Sequence, residues 1–216
     1  MSLEEEKRLA AETAAERIEP GSRVGLGTGT TVAYLLDAIA RRAIKARYWA
    51  TSPQTMDAAV SLGITIEPFD ALDELDLAID GADQIAPDGW LVKGRGGAHL
   101  REKIVAASAR TFVVIADSSK PVPALHAPVP LELHRFGLRA TLRELGSVTV
   151  RDGAPSPDGG VLADYHGDVG DPSDLSTRLS SVPGVSAHGL FAPALVSDIV
   201  VATGKTVTRT ILGGPR

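Results

Sequence analysis

Short apolar runs alternate with helical patterns along the chain as far as Asp117. The runs predict buried strands at 23–26, 48–50, 64–67, 77–80 and 111–116, with a weaker strand at 91–92. Apolar positions at helical spacing predict helices at 3–18, 32–39, 53–62 and 100–109. Strands that alternate with helices indicate an α/β domain, with a mostly parallel sheet covered by helices on both faces.

The pattern changes after four closely spaced prolines at positions 121, 123, 128 and 130. The following segments predict strands at 129–133, 148–151, 161–165 and 185–190, with helices at 137–145 and 172–179. This βαββαβ order is typical of a ferredoxin-like α+β domain. A terminal strand pair at 199–202 and 207–212 could rejoin the first sheet. The predicted domains are therefore 1–126 with 198–216, and 127–197.

Composition narrows the class of protein. With 44% hydrophobic residues the chain can bury a sizeable core, and a net charge of −5 without a basic block argues against a nucleic-acid surface. The absence of cysteine excludes disulfides and thiol chemistry, and the five histidines show no metal-ligand spacing. The amino terminus does not resemble a signal peptide, and no apolar run could span a membrane. We expect a soluble, cytoplasmic protein without a metal or a membrane partner.

Titratable residues concentrate just after the strand at 77–80. Asp80 and Asp83 lie on the turn that ends it, Lys93 opens a glycine-rich stretch, and Glu102 lies on the next helix. Small residues let a ligand approach the backbone closely, while the charged groups offer proton transfer and charge stabilisation. Acidic turns are common at protein surfaces, but several convergent titratable groups favour an active site.

The segment GLGTGTT at 25–31 connects a strand to a helix, where backbone N–H groups attract anions. It lacks the Gly-Lys-Ser/Thr of a nucleotide-binding P-loop, and Thr30 stands where a dinucleotide fingerprint has its last glycine. The segment is either a tight turn or, as we favour, a site for a phosphate or another small oxyanion. Lys120 follows another strand end, where it could be solvated or could contact a substrate.

These segments also resemble a known family. The chain is similar over nearly its whole length to ribose-5-phosphate isomerases of the A type, through GLGTGTT, TSPQT, DGADQ, KGRGGAHLREKIVA and VIADSSKPV. The resemblance implies a Rossmann-like domain with a ferredoxin-like domain inserted. It also implies interconversion of ribose 5-phosphate and ribulose 5-phosphate in the non-oxidative pentose phosphate pathway, without metal or organic cofactor, by a homodimer or homotetramer.

The resemblance further implies roles for individual residues. Glu102 matches the base that moves a proton between C1 and C2, and Lys93 matches the lysine that stabilises the enediolate oxygen. Asp80 and Asp83 match acids that hold sugar hydroxyls and assist ring opening. The candidate substrate-binding residues are Thr28, Gly29, Thr30, Thr31, Gly81, Ala82, Gly94, Arg95, Gly96 and Lys120.

The chain departs from the family pattern at four positions. Gln84 replaces the usual glutamate, Thr30 replaces serine, and Arg95 and His99 interrupt a stretch of glycine and alanine. Arg95 could contact substrate or point outward, and His99 could cover the site. These changes leave open a sibling isomerase acting on another sugar phosphate.

Two further hypotheses compete with an isomerase, namely a non-catalytic sugar-phosphate sensor and a coenzyme A transferase. A sensor would need the Gly/Thr loop but neither Glu102 nor Lys93, so the presence of both residues argues against it. A transferase would use a glutamate as its nucleophile. The combination of the DGAD and Lys-Gly segments fits an isomerase better.

Overall fold

The computed structural model describes residues 1–68, 70 and 73–214. The chain divides into two compact units. Unit 1 comprises Met1–Ala82, Arg101–Lys120 and Pro193–Arg216, and unit 2 comprises Asp83–Leu100 and Pro121–Ala192. The boundaries inferred from the sequence, 1–126 with 198–216 and 127–197, stay a prediction.

The secondary structure follows the predicted alternation. The strands are β1 Arg23–Leu26, β2 Arg47–Ala50, β3 Leu77–Gly81, β4 Gln84–Ile85, β5 Leu91–Val92, β6 Phe112–Asp117, β7 Val129–Leu133, β8 Val148–Val150, β9 Val161–Tyr165, β10 Val185–His188, β11 Leu190–Phe191, β12 Asp198–Thr203 and β13 Thr206–Ile211. The helices are α1 Leu3–Ala15, α2 Thr30–Arg42, α3 Pro53–Ser61, α4 His99–Ser108, α5 Leu138–Leu145 and α6 Pro172–Ser181.

Unit 1 is built on a six-stranded sheet in the order β13-β12-β6-β3-β1-β2. All neighbours are parallel except β12 and β13, so the predicted return of the terminal pair to the first sheet is confirmed. Each strand in the middle of the sheet is almost fully apolar, as expected when helices cover both faces. The carboxyl ends of β1, β2, β3 and β6 therefore lie along one edge, where α/β proteins bind ligands.

Unit 2 contains a four-stranded antiparallel sheet in the order β10-β7-β9-β8, with α5 and α6 in the connections. When the four strands of this sheet are numbered in chain order, their spatial order is 4-1-3-2. This is the arrangement of the ferredoxin-like fold, which confirms the predicted fold class. Asp171 caps α6 by accepting hydrogen bonds from the N–H groups of Ser173 and Asp174, and Pro172 opens the helix. A second, three-stranded sheet has the order β11-β5-β4.

Two strand predictions were wrong. The strand expected at 64–67 is reduced to a single bridge between Ile66 and Tyr48, because Pro68 lacks the N–H needed to extend the ladder. The strand expected at 185–190 ends at His188, and the chain turns at Gly189 to enter a different sheet as β11. Gly189 donates its N–H to the carbonyl oxygen of Pro130 at 2.7 Å, which fixes that turn.

Candidate functional site

In unit 1, Asp80 is held by the backbone around it. It is the last residue but one of β3, with 3% of its surface exposed, and its Oδ1 accepts hydrogen bonds from the N–H of Thr28 at 3.1 Å and of Gly81 at 2.7 Å. Gly27 makes this approach possible, because a Cβ there would lie 1.8 Å from the Asp80 carboxyl carbon. The Gly/Thr loop and the carboxylate therefore form one local unit.

The same loop leads into α2. Gly29 caps the helix with a φ of +118°, a conformation that favours glycine, and no side chain caps the helix. The first N–H groups of a helix have no intrahelical acceptor and attract anions. Gly29 and Thr30 are exposed, whereas Thr31 is buried at 7%. The loop thus presents the geometry of an anion site at the sheet edge.

A chain of hydroxyl groups joins this loop to the segment after β2. The Thr28 hydroxyl lies 2.8 Å from that of Thr51 and donates to Ser52 Oγ at 2.9 Å. Thr55 donates its hydroxyl to the carbonyl oxygen of Gly27 at 2.8 Å, and Ser52 caps α3. The TSPQT segment is consequently both a helix start and a fixed neighbour of the Gly/Thr loop.

Glu102 lies on the inward face of α4. It shares that face with Val105 and Ala106, at helical spacings of three and four residues, and only 3% of its surface is exposed. A desolvated carboxylate is more basic than one in water. The next residue, Lys103, is half-buried, and burial lowers the pKa of its ammonium group to about 8.

Two buried carboxylates near the end of β6 were not predicted. Asp117 is fully buried and accepts a hydrogen bond from the N–H of Ser119 at 2.9 Å. Glu6 accepts from the N–H of Ser118 at 3.0 Å and of Gly204 at 2.7 Å, and the bonds from Ser118 foremost lower the pKa of the Glu6 carboxyl. These contacts organise the segment that carries Lys120. Glu6 could have been found from the sequence, because it shares a helix face with Ala10 and Ala14.

In unit 2, Lys93 follows β5 and is almost fully buried. Its N–H donates to the carbonyl oxygen of Gly189 at 2.8 Å, and 3% of its surface is exposed. Its ammonium nitrogen lies 5.4 Å from the centre of the Phe191 ring, within range of a cation–π interaction. The side chain of Lys93 is therefore held inside the unit rather than extended into solvent.

The loop after Lys93 turns back on itself. Gly94 has a φ of +102° and accepts a hydrogen bond from the N–H of Gly97 at 3.0 Å. A Cβ on Gly94 would lie 2.7 Å from the ring of His99, which is fully buried at the start of α4. His99 thus packs against the loop from its buried side.

Asp83 and Arg95 meet within unit 2. The backbone N–H of Arg95 donates to Asp83 Oδ2 at 3.0 Å, and its Nε lies 3.8 Å from Asp83 Oδ1. The Arg95 side chain is 83% exposed, and its role in substrate contact stays a prediction. Asp83 is itself anchored, because its N–H donates to the carbonyl oxygen of Val92 at 2.8 Å.

Gln84, the main departure from the family pattern, has a defined structural role. Its buried side-chain amide donates to the carbonyl oxygen of His126 at 2.8 Å and accepts from the N–H of the same residue at 2.9 Å. A glutamate could accept but, when ionised, could not donate. Position 84 therefore lacks the negative charge of the usual glutamate and instead makes two hydrogen bonds to the backbone of His126, a pair that only the amide can make.

Unit 2 also contains cavities. One of about 260 Å³ lies against Asp83, Arg95 and Arg151, and a larger one of about 470 Å³ lies beside α5 and contains none of the candidate site residues. Among residues 1–68, 70 and 73–214, no cluster of three or more His, Cys, Asp or Glu side chains could hold a metal ion. Within the same ranges no helix is long and apolar enough to cross a membrane.

Comparison with known proteins identifies the family. The family model for ribose 5-phosphate isomerase A (phosphoriboisomerase A) matches residues 47–206. The chain belongs to this family. A ribose-5-phosphate isomerase A of Roseiflexus castenholzii is 43% identical over 202 residues, which cover 86% of each chain.

Solved structures agree with this membership. The crystal structure of ribose 5 phosphate isomerase A from Neisseria gonorrhoeae superposes with a TM-score of 0.92 at 29% identity, over 97% of both chains. A D-ribose-5-phosphate isomerase solved in complex with phospho-erythronic acid is 33% identical, with a TM-score of 0.90, over 98% of this chain and all of the other. The predicted family and fold class are confirmed, whereas the roles assigned to individual residues stay predictions.

Proposed function

We propose that this protein interconverts D-ribose 5-phosphate and D-ribulose 5-phosphate. Membership of the ribose 5-phosphate isomerase A family carries the proposal, since the matched region contains Asp80, Asp83, Lys93 and Glu102. The complex of one relative with phospho-erythronic acid supports a phosphorylated sugar as the class of ligand. In keeping with the family resemblance, the reaction needs neither a metal nor an organic cofactor.

The reaction is an internal oxidation and reduction. A base removes the proton from C2 of the open-chain aldose, and the electron pair forms an enediolate with its negative charge on O1. A proton passes from the hydroxyl on C2 to O1, and the base returns its proton to C1 to give the ketose. We assign the base to Glu102, whose carboxylate is buried on the inward face of α4. Lys93 stabilises the negative charge on the enediolate oxygen, an interaction that strengthens away from water.

The two aspartates act on the sugar hydroxyls. Asp80 has its Oδ1 committed to backbone N–H groups, which fixes the orientation of the carboxylate. Asp83 Oδ2 accepts from the N–H of Arg95 on the glycine-rich loop. Carboxylates held in one orientation can accept hydrogen bonds from hydroxyls and move the proton of ring opening without further reorganisation.

The phosphate is proposed to bind at the start of α2. The N–H groups and hydroxyls of the loop attract a dianion there, and Lys120 adds positive charge. The other proposed substrate contacts are five small residues and one arginine, namely Gly29, Gly81, Ala82, Gly94, Gly96 and Arg95.

Two further points belong to the proposal. The family resemblance favours a homodimer or homotetramer, which sedimentation velocity would establish. A cytoplasmic location follows from the substrate, since a sugar carrying a charged phosphate does not cross a lipid bilayer unaided.

The test is conversion of ribose 5-phosphate by the purified protein in D₂O with a metal chelator present. The proposal predicts ketose formation with deuterium incorporated at the carbon beside the carbonyl. Saturable binding of ribose 5-phosphate without conversion would instead identify a sensor, and conversion that stops on chelation would contradict the metal-free mechanism.

A further inference from the structure

Arg151, which follows β8, bridges two parts of unit 2. Its Nε and Nη2 donate to the two oxygens of Asp164 on β9, at 2.8 and 2.7 Å. Its Nη1 donates to the backbone carbonyl oxygens of Gly94 at 3.2 Å and of Arg95 at 3.0 Å. One guanidinium therefore joins the strand pair to the glycine-rich loop that begins after Lys93.

These contacts fix one peptide group from both sides. The carbonyl of Gly94 and the N–H of Arg95 belong to the same peptide, and the carbonyl accepts from Arg151. The N–H donates to Asp83 Oδ2 at 3.0 Å. The same carbonyl also accepts from the N–H of Gly97 at 3.0 Å within the loop. Rotation of this peptide would break all three hydrogen bonds, and Arg151 and Asp83 supply the two that come from outside the loop.

The loop needs such a constraint. Gly94 and Gly97 both have positive φ values, and glycine loses more conformational freedom on ordering than any other residue. The Arg95 side chain is 83% exposed and packs little. A second contact helps on the same side, because Gly97 lies so close to β9 that a Cβ there would be 2.5 Å from Leu162 Cδ1.

We propose that Arg151, oriented by Asp164, is a positioning residue that locks the Gly94–Arg95 peptide and so fixes Asp83 for catalysis. The inference rests on the proposed isomerase function. Arg151 acts on Asp83 through this peptide, which distinguishes it from a catalytic residue. The planar fork of arginine is required, since lysine cannot bond two carboxylate oxygens and two carbonyls in one fixed geometry.

A purely structural role is the competing explanation. The Arg151 and Asp164 side chains are 20% and 22% exposed, and ion pairs that remain in contact with water contribute little to stability. Loss of the pair should therefore change the loop more than it changes unfolding. Catalytic groups misplaced by about 1 Å can lose about 100-fold in rate, so kinetics is the sensitive readout.

The experiment compares Arg151→Met, Arg151→Lys and Asp164→Asn with Arg139→Met, an exposed arginine on α5. We expect kcat to fall about 10- to 100-fold in both Arg151→Met and Arg151→Lys, with KM changing less than about threefold, and to fall less in Asp164→Asn, which keeps the guanidinium. Arg139→Met should keep the wild-type kcat. Guanidinium ion at non-denaturing concentration should partly restore kcat in Arg151→Ala, whereas methylammonium should not.

A spectroscopic readout separates positioning from stability. The backbone amide proton of Arg95, bonded to a carboxylate in the wild type, should move upfield in Arg151→Met while the melting temperature stays close to wild type. Wild-type kcat in Arg151→Met, or an unmoved Arg95 resonance, would overturn the inference. Should that variant not fold, Asp164→Asn carries the same two tests. A wild-type protein without isomerase activity would instead refute the proposed function.

Discussion

Asp80 and Asp83 are three residues apart in the sequence but are held in different ways. Asp80 is 3% exposed, and its partners are N–H groups at the end of β3 and in the loop after β1. Asp83 has a side chain 21% exposed, and its partner is an N–H on a glycine-rich loop that a distant arginine restrains. The sheet therefore positions the carboxylate of Asp80, whereas the carboxylate of Asp83 depends on a loop that the Arg151 side chain restrains.

The difference shows how rigidity is divided in the molecule. Parallel strands fix the ends of β1 and β3 relative to each other, so Asp80 keeps its place as long as the sheet is intact. The loop carrying Arg95 lies outside that sheet and is held by bonds to the side chains of Arg151 and Asp83, so it can reorganise locally when one of these is lost. Substitutions around Asp80 should therefore affect folding and activity together, whereas those around the loop should affect activity first.

The largest effect is expected for Gly27→Ala. The new methyl group would overlap the Asp80 carboxyl, which must move away from the N–H of Thr28. We expect kcat/KM to fall about 100-fold or more from the misplaced carboxylate, and the free energy of unfolding to fall by about 1–3 kcal/mol from overpacking. Steady-state kinetics and urea denaturation measure the two quantities.

Gly160→Ala is the matched control in unit 2. Its Cβ would also meet a carboxylate, at 2.5 Å from Glu132, but none of the candidate site residues is involved. It should lose stability while the folded fraction keeps a wild-type kcat. An unchanged kcat/KM in Gly27→Ala would mean that the sheet edge does not position Asp80.

An intermediate effect is expected for Gln84→Glu, which restores the residue usual in the family. The carboxylate would face the carbonyl oxygen of His126, to which Gln84 now donates at 2.8 Å. The free energy of unfolding at pH 7 should fall by about 1–3 kcal/mol, and the deficit should shrink in acid, where a protonated carboxyl donates again.

Gln54→Glu is the control for Gln84→Glu, since Gln54 is the exposed glutamine in the first turn of α3. It should change the free energy of unfolding by less than about 0.5 kcal/mol. If Gln84→Glu matched wild-type stability at neutral pH, the two-bond contact with His126 would not explain the departure from the family pattern.

The smallest effect is expected for Lys103, and it tests how far the ammonium group of this α4 residue is desolvated. Burial lowers the pKa of Lys103 to about 8 from an ordinary value of 10.5, so the unfolded chain binds more protons between these two values. Stability should therefore rise from pH 8 to pH 10.5, by about 1 kcal/mol from this half-buried and partly screened group.

The measurement is urea denaturation across that pH range in wild type, Lys103→Met and Lys45→Met, whose lysine is exposed. Lys103→Met should lose this component of the rise, and Lys45→Met should keep it. An identical pH dependence in wild type and Lys103→Met would show that the ammonium group is not buried.

The fold was largely predictable because periodicity reports it. Apolar runs located the strands of the parallel sheet, and the βαββαβ order identified the second fold. The errors arose where tertiary contacts override a local pattern. The alternation of apolar and polar residues from Val185 to His188 does not show that the chain changes sheets at Gly189, and the two-residue β4 is too short to show periodicity.

The candidate site was predictable only in part. Titratable and small residues cluster after the third strand, which singles out Asp80, Lys93 and, on the next helix, Glu102 as candidates whose roles stay predictions. The contacts of Arg151 with the loop were not predictable, since Arg151 is 57 residues from Gly94 in the sequence. The sequence around Arg151 has the pattern of ordinary exposed strands. Long-range side-chain contacts of this kind leave no periodic or motif signal.

The most direct test of the role of Glu102 is Glu102→Gln, a substitution of nearly equal shape that removes the base. We expect kcat to fall about 100- to 10,000-fold while binding of ribose 5-phosphate is retained. The control Glu144→Gln, on the exposed side of α5, should keep full activity. Near-normal turnover by Glu102→Gln would contradict the central claim that the buried carboxylate of α4 moves the proton.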